Sequence, residues 1–165
     1  MRLRFKTMVE QVIAGILVGF CTYLFLMPFI HESGHALFAH WCGWNILEMH
    51  VSIPALVTPS YVIISAPIGA NLTFFYMAGS WSCILWGFLI SFFPILIRDH
   101  WLWLSIGYGL MSDGIVYPIW SHIFGYGDWV EIDPICSIFT VGMTIMLIFM
   151  SVLINKITKW RLRQC

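Results

Sequence analysis

Residues 8–43 of the chain run MVEQVIAGILVGFCTYLFLMPFIHESGHALFAHWCG. From Met8 to Ile30 the stretch is almost wholly apolar, and about 20 such residues suffice to carry a helix across the hydrocarbon core of a bilayer. It leads straight into His31-Glu32-Ser33-Gly34-His35. On an α-helix, residues four apart differ by about 40° of rotation and one turn of rise, so both imidazoles leave from one face. That face can bind a metal, and Glu32 stands where a carboxylate can take a proton from metal-bound water. Ionisable groups at the end of a membrane-length helix cost free energy, which makes them functional candidates by default. Pro28 is expected to kink the helix just before His31, and Gly43 to end it.

The rest of the composition agrees with a membrane setting. Hydrophobic residues make up 60% of the 165 residues and charged residues 10%, with a formal net charge of zero, a balance far from that of a soluble domain. The chain is expected to form one membrane-embedded, mainly α domain over 1–165, with spans at about 8–43, 70–97, 101–124 and 135–157. Between the first two spans, residues 44–67 are rich in β-branched side chains and carry Pro54, Pro59 and Pro67. They predict two short strands joined by a proline-containing turn. All eight cations, Arg2, Arg4, Lys6, Arg98, Lys156, Lys159, Arg161 and Arg163, fall on one side of a four-span arrangement. That side is cytoplasmic by the positive-inside rule, which puts both termini in the cytoplasm. The opposite side receives Glu48, Asp128, Glu131 and Asp133. His31 and His35 then lie toward the non-cytoplasmic half. No aromatic-interleaved basic patch suggests a nucleic acid, and the five scattered cysteines suggest packing rather than disulfides.

A catalytic zinc normally has three protein ligands and an open position for water, so two histidines need a partner. His40 is five residues beyond His35 and points elsewhere. Asp113, midway along the third span in Met111-Ser112-Asp113-Gly114, is the preferred third ligand, because a divalent cation would compensate a carboxylate at that depth. Gly107, Gly109 and Gly114 would let a neighbouring backbone come close. His122, near the outer interface, is a reserve ligand or substrate contact. His50 and His100 have no partner spacing.

With these residues in view, the chain resembles the site-2 protease family of intramembrane zinc metalloproteases, peptidase family M50, and especially its short M50B-like members. The likeness rests on His31-Glu32-Ser33-Gly34-His35 with the small Ala36 and Ala39 after it, on the strand-like segment, on Ala78-Gly79-Ser80, which is similar to an AGP-type helix start, and on Asp113-Gly114. It covers about residues 8–124. It implies one Zn2+ per chain held by His31, His35 and Asp113, with Glu32 as catalytic acid/base. The implied activity is endopeptidase cleavage in or near transmembrane segments of membrane proteins within the bilayer. Two positions depart from the family pattern. Ser80 stands where proline is usual, and the Asn and Pro that commonly precede the DG are absent from 104–112. Asn71 is the candidate substitute for the substrate-orienting Asn. With no appended regulatory module, substrate choice falls to the core or to a membrane partner. The alternatives are a non-catalytic membrane scaffold or chaperone with a structural metal, and a small divalent-metal transporter.

Overall fold

The computed structural model describes residues 8–54, 59–92 and 100–161. It is mainly helical. Helix α1 (Met8–Cys21) passes through a π-helical turn at Thr22–Leu26 into α2 (Met27–Trp41). The cause is local. Pro28 has no N–H to continue the ladder, and the Met27 N–H reaches back five residues to the Thr22 carbonyl. Thr22 Oγ1 also donates to the Val18 carbonyl at 2.9 Å, a bond that bends helices. The expected kink is thus a widened turn, and the helical run ends at Trp41, before Gly43 at φ 72°.

Strands β1 (Asn45–His50) and β2 (Tyr61–Ser65) pair antiparallel, from Asn45 opposite Ser65 to His50 opposite Tyr61, with an irregularity between Ile46 and Glu48. These are the two strands that the 44–67 segment predicts, although 55–58 of their connection lie outside the described residues. Helix α3 (Thr73–Phe92) follows. The expected end of that span at 93–97, and the cations Arg2, Arg4, Lys6, Arg98 and Arg163, also lie outside the described residues.

The third expected span is two helices, α4 (His100–Met111) and α5 (Asp113–Phe124), meeting at Ser112. Ser112 keeps right-handed helical angles. Its carbonyl accepts from both Ile115 and Val116, and its hydroxyl donates to the Gly109 carbonyl at 2.7 Å. The ladder tightens there and then resumes. A 3-10 turn at Asp128–Glu131 leads to α6 (Pro134–Arg161).

Among the described residues, three helical runs are long and apolar enough to cross a membrane: Met8–Trp41, Thr73–Phe92 and Pro134–Thr158. Polar and small side chains serve as contacts between the helices, a pattern that suits a lipid surrounding. Along α6, Ser137, Thr140, Thr144 and Ser151 are buried while Ile138, Phe139, Ile145, Met146 and Phe149 face out. The buried stripe has helical spacing; Thr144 Oγ1 donates within the helix to the Thr140 carbonyl, and other members are bonded across elements. Trp81 Nε1–H donates to Thr140 Oγ1 at 3.2 Å, Ser151 Oγ–H to Ser91 Oγ at 2.8 Å, and the Asn155 amide to the Ser91 carbonyl at 3.2 Å. Helix α3 is central, packed by α2, α4, α5 and α6.

Candidate metal centre

Helix α2 buries one face against α3, and that face carries the motif: His31, Glu32, Gly34 and His35 are all buried. Two glycines permit the contact. A Cβ on Gly34 would come within 2.5 Å of the Ala78 carbonyl oxygen, and a Cβ on Gly79 within 2.5 Å of both His31 Nε2 and His35 Nε2. The two helices therefore interlock, with the α3 backbone against the paired imidazole edges.

Each ring is held at its far nitrogen. His35 Nδ1 lies 2.7 Å from the Phe75 carbonyl oxygen, which can only accept, so Nδ1 carries the proton. His31 Nδ1 lies 3.0 Å from Asp113 Oδ2, again an acceptor when the acid is ionised. With Nδ1 protonated on both rings, each neutral imidazole presents a lone pair at Nε2. Those two nitrogens lie 3.2 Å and 3.1 Å from one oxygen, Asp128 Oδ2. Three acceptors face one another, an arrangement that calls for a cation between them, a metal ion or added protons. For the protonated form, burial pushes the Asp128 carboxyl up, but the hydrogen bonds and charge of His31 and His35 outweigh it and hold the carboxyl well below the usual carboxylate range.

The donor set fits zinc. Tetrahedral ligand atoms at zinc bond lengths are about 3.3 Å apart, close to the spacing of Asp128 Oδ2 from each nitrogen. A second grouping, His31, Cys83 and Asp113, is fully buried and shares His31. It suits a cation less well, because the His31 Nδ1–H is already directed at Asp113 and the Cys83 thiol donates toward the Met27 carbonyl at 3.8 Å.

The predicted residues thus divide. His31 and His35 come together as the motif requires, with Glu32 beside them in the electrostatic field of both. Asp113 joins the cluster from α5, but on the Nδ1 side of His31, where it orients the ring; its other oxygen, Oδ1, is buried without a hydrogen-bond partner. Asn71 is exposed and accepts from the Thr73 N–H at 2.9 Å, capping α3. His122 pairs with Ser137 at 2.7 Å, tying α5 to α6.

Sequence reasoning gave Asp128, Tyr117 and Trp129 no place at the site, and took Ser80 only as a departure from the family's proline. Asp128 stood as a member of the outer acidic loop. The loop is turned back onto the helices by Gly125, which ends α5 at φ 69°, and by Gly127 at φ 94°. An acid directly after Gly125-Tyr126-Gly127 was the available signal. The Tyr117 hydroxyl accepts from the Asp128 N–H at 3.4 Å, and its ring stands edge-on to His31 with centroids 5.1 Å apart. Trp129 is fully buried beside Met77 and Ile132, and its Nε1–H donates to Ser80 Oγ at 3.1 Å. No family model, curated protein or solved structure matches this chain.

Proposed function

We propose that the protein is a zinc-dependent endopeptidase that cleaves membrane proteins in or near their transmembrane segments, with His31, His35 and Asp128 as the metal ligands and Glu32 as the acid/base. The observation that carries this reading is the convergence of His31 Nε2, His35 Nε2 and Asp128 Oδ2 in a largely buried cluster where all three are acceptors. Zinc bound there would supply a Lewis acid for the scissile carbonyl and lower the pKa of water from 15.7 toward about 7.

The remaining work belongs to the chain. Glu32, buried on α2, accepts the water proton and returns it to the leaving amine. Asp113 keeps His31 in the tautomer that leaves Nε2 free. The Tyr117 hydroxyl donates to Asp128 Oδ2 at 3.5 Å and steadies the carboxylate beside the two imidazoles. A helical substrate hides its carbonyls in its own hydrogen bonds, so it must unwind before attack, which favours spans weakened by Gly, Pro or polar residues. The two-stranded sheet has edges that can hold such an extended segment by main-chain bonds. The Asp128 side chain is 26% exposed against 5% for His31 and 3% for His35, so water enters from the side of the Asp128 loop.

In this reading α4 and α5 act together as one crossing, making four in all, with both termini cytoplasmic and the metal reached from the other face. Glu32→Gln is expected to abolish cleavage of a single-span reporter while the purified protein keeps its zinc. Cleavage retained in that variant would overturn the proposed chemistry; zinc bound by a wild type that cleaves nothing would favour the structural-metal alternative.

A further inference from the structure

The proposed third ligand sits on a loop between α5 and α6, outside the regular helices, and a ligand so placed needs an anchor. Four observations supply one. Trp129, the neighbour of Asp128 in the chain, is fully buried between α3 and the loop. Its indole N–H donates to Ser80 Oγ at 3.1 Å, and Ser80 is itself fully buried. Ser80 follows Gly79, whose backbone borders both His Nε2 atoms. Gly127 at φ 94° brings Asp128 around so that its N–H meets the Tyr117 hydroxyl. One helix, α3, therefore holds the imidazole edges with Gly79 and the Asp128 loop with the next residue.

We infer that Ser80 and Trp129 form a clasp that seats Asp128 in the metal site, so that both are positioning residues for the ion. This inference rests on Asp128 being a ligand. The bond joins a neutral donor and a neutral acceptor, both out of water, so removing either partner leaves a buried polar group unpaired and the loop free to shift. A shift small enough to preserve the fold would still move a carboxylate that must sit within tenths of an ångström of its ion. It also accounts for a serine where the family resemblance predicts proline, since proline can accept no such bond with its side chain.

The test is metal affinity, read with cobalt(II) as an optical probe and zinc in competition, on full-length protein in detergent. Ser80→Ala and Trp129→Phe are each expected to weaken binding about 10- to 100-fold, and the double variant no more than the weaker single, because both remove one bond. Asp128→Asn should weaken binding further, and in that background Ser80→Ala should change nothing. A residue that only stabilised packing would lower affinity equally with or without Asp128. Thermal unfolding of the metal-free variants reports any packing loss separately, and Ser80→Ala, which removes one atom, tests the bond if Trp129→Phe fails to fold. Asp128→Asn binding as well as wild type would overturn the ligand assignment itself. Asp128→Asn weakened while Ser80→Ala and Trp129→Phe bind normally would overturn the clasp alone.

Discussion

Two aspartates approach His31 from opposite sides of its ring. Asp113 contacts Nδ1 and Asp128 contacts Nε2, and only Asp128 also reaches His35. The difference is measurable. Replacing Asp113 by Ala should weaken zinc binding about 10- to 100-fold, as loss of a ring-orienting carboxylate does, without abolishing it. Replacing Asp128 by Ala should cost more, because in the proposed site it deletes a ligand. Affinity lost with Asp113→Ala and unaffected by Asp128→Ala would restore the assignment that the DG pair suggests. The histidine pair was legible because four-residue spacing on a helix fixes relative direction by itself. Asp128 was not legible, since it lies 97 residues from His31 in the chain and arrives through two positive-φ glycines that redirect the backbone. Charge alone placed it correctly outside the helices but gave no hint that it turns back. At residue scale, helical periodicity carries direction and loops do not.

Helix α2 meets α3 through reciprocal glycines, Gly34 against the Ala78 carbonyl and Gly79 against the imidazole edges. A methyl group at Gly79 would occupy the space just in front of both Nε2 atoms. Gly79→Ala is therefore expected to lower zinc stoichiometry well below one per chain and to destabilise the metal-free protein by about 1–3 kcal/mol, the usual cost of overpacking. Elemental analysis and thermal unfolding would read the two effects, and full zinc occupancy in the variant would show that the helices do not meet as described. Most elements were visible in the sequence: the long first helix, the paired strands around the prolines, and the final helix. The division of 100–124 at Ser112 was not. Apolar content runs through the break unchanged, and what tightens the turn is a serine hydroxyl returning to the Gly109 carbonyl, a bond that hydropathy does not register. That turn immediately precedes Asp113, so the irregularity lies where α5 presents its carboxylate to His31.

Across the described residues, polarity has a pattern that suits lipid: a buried Ser and Thr stripe on α6, large apolar side chains outward, and the His31–His35–Asp128 cluster on α2 and the Asp128 loop. The proposed orientation rests on charge. If α4 and α5 count as one crossing, every Lys and Arg falls on one side and Glu48, Asp128, Glu131 and Asp133 on the other, a segregation that sets cytoplasmic and outer faces. Native thiols can test it. Cys42, at the end of α2, is exposed; the proposed topology puts it on the hairpin side with the His31–His35–Asp128 cluster and puts Cys165 on the side of the cations. In intact cells, a membrane-impermeant maleimide should label a variant keeping only Cys42 and spare one keeping only Cys165, with both labelled after permeabilisation. The reverse pattern would invert the topology and place the site's water supply in the cytoplasm. Labelling of both in intact cells would require an odd number of crossings, separating α4 from α5 as elements that do not together cross the bilayer, and would detach the Asp128 loop from the face on which Glu32 needs its water.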